Sequence, residues 1–453
     1  MSDVPDDSPP APAAGRYRGW VLLVLTMVTM FAFADRQILS VLNQAIKRDL
    51  GLSDTQLGLL GGLAFAFLNA LASIPLARLA DRGRRLKLIT VGVFIWSIAT
   101  AVCGLTVSFG QLIAARLAVG LGEATGAPAT ISVIADYFPR RSRASAMALF
   151  NLAIPLGALL GAAGGGFIAQ HANWRNAFII AGLPGVVLGL IVALTLREPV
   201  RGHYDGPEGG TAETPPLSAV LKRMVARPAF IHTLLGSTIV STGGFGILTF
   251  NAAYLFRRFG LDFAQAGLIT GLISAIPGCI CILIAGILSD RLGKGDARFY
   301  GWVPAIGAVL TAPLYVISFF QGGWLATTAM LMVTGLVQYA YLPVSMGVYQ
   351  NLMEPRMRAS ATAIVNLGTN LVSAGLGPLI VGMLSDTLAR RAFHGDFAVA
   401  CAGGRAAQSA AASACGEASA SGLQWACALF ALIYLWGAVH FMLAARTLRR
   451  DMA

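Results

Sequence analysis

Two stretches, LARLADRGRRLK at residues 76–87 and AGILSDRLGKGDAR at residues 285–298, decide how this chain is read. Each is a short basic turn with an Asp-Arg pair and glycine, and each closes a long apolar run. Counting such runs from Trp20, the first turn follows the second run and the other follows the eighth. A repeat at a spacing of six runs means two homologous halves, the arrangement of membrane proteins that rock two repeats about a central cavity.

The composition around these turns agrees. Of 453 residues, 56% are hydrophobic and 12% charged, with a mean hydropathy of +0.70, which excludes a water-soluble fold. At about 20 residues per crossing, this length holds about a dozen membrane helices. The apolar runs fall at 20–41, 55–77, 88–108, 110–136, 144–169, 175–196, 228–255, 264–288, 300–320, 324–350, 358–386 and 422–446. The predicted fold is therefore all-α and integral to the membrane, with twelve transmembrane helices in two pseudo-symmetric six-helix halves. The expected boundaries are a disordered tail over 1–18, an amino-terminal bundle over 19–197, a linker over 198–226, a carboxyl-terminal bundle over 227–447 and a tail over 448–453. The opening MSDVPDDSPPAPAAG lacks the basic start of a cleavable signal peptide. The linker holds GPEGGTAETPP, a turn-rich segment.

A net charge of +12 would suit nucleic acid only on a soluble basic face, and none is visible. Sorted by loop, 23 of the 33 Lys and Arg fall on the side shared by both termini and 8 on the other, with Arg36 and Arg116 inside apolar runs. By the positive-inside rule both termini are cytoplasmic.

Charges within the membrane are the sharper signal. Asp35 and Arg36 lie about 15 residues past Trp20, roughly 22 Å into a ~30 Å core. On the fourth helix Arg116 and Glu123 are two turns apart on one face, and Arg116 shares a depth with Asp35. Two acids and two bases cancel if helix one meets helix four. They could simply pin those helices together. Intramembrane ionisable groups are by default functional, however, and a carboxylate that exchanges a proton as its surroundings change makes a coupling switch. Asp136, at the inner end of helix four beside Arg140, reads as a latch or interface residue.

The carboxyl half has no such charges. Gln338, Tyr339, Tyr341 and Ser345 on helix ten, with Asn366, Thr369 and Asn370 on helix eleven, are candidates for a hydrogen-bonding cavity wall or for interhelical bonds. His232 and His440, near inner helix ends, read as solvated or satisfied. Helix five carries Pro155, Gly157 and Gly161, a hinge or a close-packing face. Four cysteines sit in apolar helices; Cys401 and Cys415 share the longest outward loop and are expected to form a disulfide. No metal set, nucleotide loop or catalytic triad is visible, so no cofactor is expected and a membrane enzyme is the weaker class.

The turn after helix eight resembles the signature of the major facilitator superfamily, Gly-x-Leu-Ala/Ser-Asp-Arg-x-Gly-Arg/Lys, at Gly286, Asp290, Arg291, Gly293 and Lys294. The first copy departs from it, with Ala77 for the first glycine and Gly83 one place early, but keeps Asp81, Arg82 and Arg85. The resemblance implies a cytoplasmic gate in which Asp81, Arg82, Arg85, Asp290 and Arg291 latch the halves. Within the superfamily the chain resembles spinster-type lysolipid transporters, on FADRQILSVL (33–42), RLAVGLGEA (116–124) and IADYFPRRSRASAMALFNLAIPLGALLG (134–161). That likeness covers mainly the amino half. It implies an alternating-access transporter of an amphipathic lysolipid or related anionic lipid, coupled to protons through Asp35, Arg36, Arg116 and Glu123. The alternative is a proton-coupled exporter of drugs or small organic anions. The expected setting is a bacterial inner membrane, with a monomer in contact with membrane lipids, a lipid-like substrate and protons.

Overall fold

A computed structural model describes residues 15–200, 216–354, 357–401 and 412–452, apart from a few helix side chains, those of Asp81, Arg82 and Arg140 among them. Twelve long helical stretches run back and forth: α1 (Gly15–Leu50), α2 (54–82), α3 (Arg85–Cys103), α4 (109–137), α5 (140–171), α6 (Trp174–Thr195), α7 (Pro228–Phe259), α8 (Phe263–Gly293), α9 (Phe299–Phe319), α10 (324–352), α11 (Arg358–Ala392) and α12 (412–452). Among the described residues 11 helices are long and apolar enough to cross a membrane by themselves. The twelfth, α4, is split into Phe109–Glu123 and Gly126–Tyr137.

Prolines explain where the helices break. A proline has no N–H for the carbonyl four residues back. The break in α4 at Ala124 and Thr125 precedes Pro128, that in α5 at Leu152 precedes Pro155, and that in α10 at Tyr339 and Ala340 precedes Pro343. In α2 the irregularity is a π-turn at Leu59–Leu63, which includes Gly61 and Gly62. The break in α12 after Phe430 has no proline to explain it.

The end of the molecule opposite the two termini, here called distal, contains a further internal repeat. GLSDTQLG at 51–58 joins α1 to α2, and GLDFAQAG at 260–267 joins α7 to α8. Gly51 and Gly260 both take φ of 66°, the left-handed conformation that ends a helix without a Cβ clash. The next helix then starts on a capping side chain: Ser53 accepts from the Gln56 N–H at 3.2 Å, and Asp262 from the Gln265 N–H at 2.7 Å. The two halves thus turn their first corner in the same way.

Within the amino half, Gly157 and Gly161 of α5 lie against the backbone of α1 at Met30 and Ala34. The glycines thus sit on a packing face, with the proline break one turn before them. Between the halves, the linker contains a short helix, Leu217–Val225, which the turn-rich composition did not suggest. It buries Val220 and Met224 against Phe230 of α7 and Tyr349 of α10. Cys401 and Cys415 are joined by a disulfide with Cα atoms 5.6 Å apart, closing a loop whose residues 402–411 lie outside those described.

Candidate functional site

The four intramembrane charges meet, as two ion pairs of different character. Asp35 accepts from Arg116 at 2.9 Å and from the Thr100 hydroxyl of α3 at 2.9 Å. Both charged partners are shut away, with side-chain exposures of 2% and 1%. Glu123 accepts from Arg36 through Nε at 2.8 Å and Nη2 at 2.5 Å. Here the carboxylate is 2% exposed but the guanidinium 35%. The Arg36 guanidinium also lies over the rings of Phe33 and Phe65, 4.9 and 4.7 Å from their centroids. Glu123 Oε1 has no hydrogen-bond partner and is buried. The arrangement has one closed pair and one pair whose cation reaches accessible space.

The residues expected to form the opposite wall are dispersed. Gln338 is turned to the Tyr315 hydroxyl of α9, and Tyr341 and Ser345 are buried. With Asn251, Ser274 and Tyr339, that Gln–Tyr pair lines a small cavity inside the carboxyl half, which Ile247, Leu248, Ile273 and Leu331 also line. Asn366 and Asn370 of α11 are exposed, and Thr369 beside them meets Thr238 of α7 at 3.2 Å. His232 and His440 face each other, Nδ1 to Nδ1, at 3.1 Å. Among the described residues, no group of three or more His, Cys, Asp or Glu could hold a metal ion.

The halves are joined at the distal end. Asp54, at the start of α2, is buried. It accepts from Lys47 at 2.6 Å, from both Nη atoms of Arg257 on α7 at 2.6 Å, and from Ser385 of α11 at 2.6 Å. Asp386 of α11 accepts from the backbone N–H groups of Asp54 and Thr55 at 2.9 and 2.8 Å. A carboxylate from one half thus caps a helix of the other, where free N–H groups and the helix dipole favour an anion. Ser40 and Asn43 of α1 add bonds to the Leu248 and Thr249 carbonyls of α7. Sequence reading missed this lock because Asp54 and Asp386 sit at the ends of apolar runs, where charge is ordinary. The repeated Gly-Leu-x-x-x-Gln-x-Gly corner was the available signal.

At the terminal end the described ion pairs stay within a half. Arg85 joins Asp136 at 2.5 Å in the amino half and Glu198, where the linker begins, at 2.9 Å. Arg449 joins Asp296 at 2.6 Å in the carboxyl half, and this guanidinium holds the Asp296 carboxyl below the usual carboxylate range. Asp290 and Arg291 are exposed. The side chains of Asp81, Arg82 and Arg140 lie outside those described.

The Major Facilitator Superfamily model matches residues 25–378. The fold superposes with a TM-score of 0.86 on a bacterial homologue of the human lysosomal transporter spinster, in an inward-facing, unoccupied conformation; identity is 30%, covering 97% of this chain and 99% of that one. An MFS-type efflux pump of Mycolicibacterium smegmatis is 32% identical over 383 residues, 84% of this chain and 88% of that protein. A probable galactarate/D-glucarate transporter of Bacillus subtilis is 27% identical over 347 residues, 71% of this chain and 76% of that protein.

Proposed function

The chain belongs to the major facilitator superfamily, and from that premise we propose that it carries an amphipathic, anionic lysolipid by alternating access, coupled to protons through the α1–α4 charge cluster. The chain is a membrane transporter of this superfamily and not an enzyme; substrate and coupling are our reading.

One observation carries it: Arg36 is 35% exposed while its Glu123 partner is buried. A guanidinium held by one carboxylate and open on its other edge can take a phosphate or carboxylate headgroup in bidentate fashion. Protonation of Glu123 releases Arg36 to the headgroup, and deprotonation takes it back, so the ionised carboxylate and the headgroup compete for one cation and proton and substrate binding favour each other. Arg116 has no such freedom, which assigns headgroup binding to Arg36 and a supporting role to Asp35 and Arg116. The exposed amides Asn366 and Asn370 supply polarity on the carboxyl half without charge, and apolar surroundings accept an alkyl chain.

The terminal face is read as cytoplasmic, in a bacterial inner membrane, from the bias of its cations. The halves are bonded at the distal end, and we read this state as one closed on that side. Closure of the terminal face falls to the turns bearing Asp81, Arg82, Arg85, Asp136, Arg140, Asp290 and Arg291. Reporter fusions at both termini and near Glu208 should give cytoplasmic signals; a periplasmic signal at any of them refutes the orientation.

The deciding experiment is uptake of labelled lysolipids in proteoliposomes with and without a pH gradient. Gradient-dependent movement that is lost in Arg36→Ala and Glu123→Gln supports the proposal. The likeness to an efflux pump and to a sugar-acid transporter favours a second reading, export of small organic anions. Stronger binding of a tail-free organic phosphate than of the lysolipid would select it.

A further inference from the structure

Phe65 of α2 touches both ion pairs. Its ring centroid is 4.7 Å from the Arg36 guanidinium carbon and 5.6 Å from that of Arg116, and the side chain is 6% exposed. The backbone beneath it is fixed with equal care. A Cβ added to Gly120 of α4 would stand 2.5 Å from the Phe65 carbonyl oxygen, and Asn69, one turn on, donates to the Gly120 carbonyl at 3.1 Å. Gly120 lies one turn from Arg116 and one turn from Glu123 on the same helix. The α2 backbone therefore presses on α4 midway between the two charges, and Phe65 projects a ring that faces both guanidiniums.

The other end of α2 is the distal lock. Asp54 holds Arg257 and Lys47 there, and its own N–H is capped by Asp386. Between Asp54 and Phe65 runs the π-turn Leu59–Leu63. Gly58 and Gly62, at its edge and within it, meet the α11 backbone at Pro378 and Ala374. A π-turn holds one residue more than the surrounding helix, and such turns recur at functional sites; conversion of this one to regular α-helix would rotate the helix beyond it. The ring that faces the charge cluster, the adjustable turn and the Asp54 side of the inter-half lock thus follow one another along one helix.

We propose that Phe65 is the positioning residue that reports the state of the two ion pairs to the distal lock. This rests on the reading of the cluster as a proton-coupled site. While Glu123 holds Arg36, the ring lies against both cations and α2 stays in the register that keeps Asp54 on Arg257. When Arg36 leaves Glu123 for a headgroup, Phe65 loses one of its two cations, and the π-turn lets α2 rotate and slacken the lock. The charged and titratable groups around the site are Asp35 and Arg36 from α1, Arg116 and Glu123 from α4, and Cys103 from α3, which lies close enough to Arg116 to interact electrostatically. The described part of α11 that packs on α2 near the π-turn, residues 374–378, carries no charge.

The test measures distances between nitroxide labels at Val107 and Gly322, exposed in distal loops of opposite halves, as pH is varied in the full-length protein in lipid nanodiscs. The wild type should pass between distal-closed and distal-open populations with one midpoint. Phe65→Leu keeps an apolar side chain, somewhat smaller, and removes the π face, so Arg36 is less confined. Its midpoint should rise by about 0.5–1 pH unit, as expected of a lost cation–π contact, while Phe65→Tyr restores the wild-type value. Glu123→Gln should abolish the response in every background. A Phe65→Leu midpoint equal to wild type, with the response intact, overturns the role of Phe65 and leaves the coupling cluster standing. A wild type without any pH response overturns the cluster reading, and Phe65 with it. A Phe65→Tyr variant that behaves like Leu refutes the cation contact as the cause.

Discussion

The two distal seams between the halves share a backbone and differ in charge. In one, α2 packs on α11; in the other, α8 packs on α5. Gly58 and Gly62 of α2 correspond to Gly267 and Gly271 of α8, and each set meets the helix across the seam, Pro378 and Ala374 in one case, Ala162 and Leu159 in the other. Gly382 of α11 lies under the Asp54 carbonyl as Gly166 of α5 lies under that of Phe263. Even the cap recurs: Asp386 accepts from the N-terminus of α2, and Gln170 accepts from the Phe263 N–H at 3.2 Å. Yet Asp54, bound to Arg257, corresponds to Phe263, which stacks on Phe256 at 4.9 Å beneath Arg48, itself 4.6 Å from that ring. Close glycine packing sets where the halves meet, and side-chain charge sets which seam can respond to protons and ions.

The largest effect should come from the charged lock. Asp54→Asn strands Arg257 in a buried site, and removing one partner of such a pair costs about 3–5 kcal/mol. Measured with the distal labels, it should turn the equilibrium toward the distal-open state at all pH values. Adding Arg257→Met should recover most of the loss. Unchanged distances in the single variant would mean that the glycine packing alone holds this end shut.

Gly382→Ala and Gly166→Ala probe what the seams have in common. Each introduces a Cβ against a carbonyl of the other half, and overpacking of this kind costs about 1–3 kcal/mol. Both should favour distal opening to a similar degree, read by the same distances. A large effect on one side only would break the backbone equivalence.

The caps should separate the seams again, more gently. Asp386→Asn weakens a charge-assisted cap worth about 1.5–3 kcal/mol, whereas Gln170→Ala removes a neutral bond worth about 0.5–1.5 kcal/mol. Thermal unfolding in detergent, compared at low and high salt, should show salt sensitivity for the former alone.

The smallest effect is expected at the terminal end, where Asp296 and Arg449 pair in solvent. Asp296→Asn should leave the melting temperature unchanged at pH 7. Because Arg449 lowers the Asp296 pKa in the folded state, whatever this pair contributes is present above the ordinary carboxylate pKa and is lost as pH falls through the lowered value. A difference from wild type that grows on going from pH 7 to pH 9 would contradict that sign.

Much of this molecule was legible in its sequence. Asp35, Arg36, Arg116 and Glu123 stood out because charge inside a twenty-residue apolar run has few explanations, and heptad spacing put the last two on one face. The halves were legible from the repeated basic turns. Asp54, Asp386 and Arg257 were not, because a charge at the end of an apolar run looks like any interfacial residue; burial between halves is what distinguishes them. Gln338, Tyr341 and Ser345 were grouped with Asn366 and Asn370 on polarity alone, yet Gln338 turns to Tyr315 inside its own half while the two asparagines remain exposed. Helix-wheel reasoning gives a direction about one axis but not which neighbour occupies it.

Hydropathy, which depends on composition along the chain, determined that this is a twelve-helix membrane protein in two halves, and the position of four charges showed that they would cancel if helices one and four meet, as the ion pairs do in the structure. Their division into a closed pair and an open one was decided by tertiary structure, since exposure depends on what α2 and α3 place beside each guanidinium. The same holds for the lock. Asp54 becomes a buried anion, and Asp386 the cap of a helix in the other half, only when glycines hundreds of residues apart in the chain let two backbones touch.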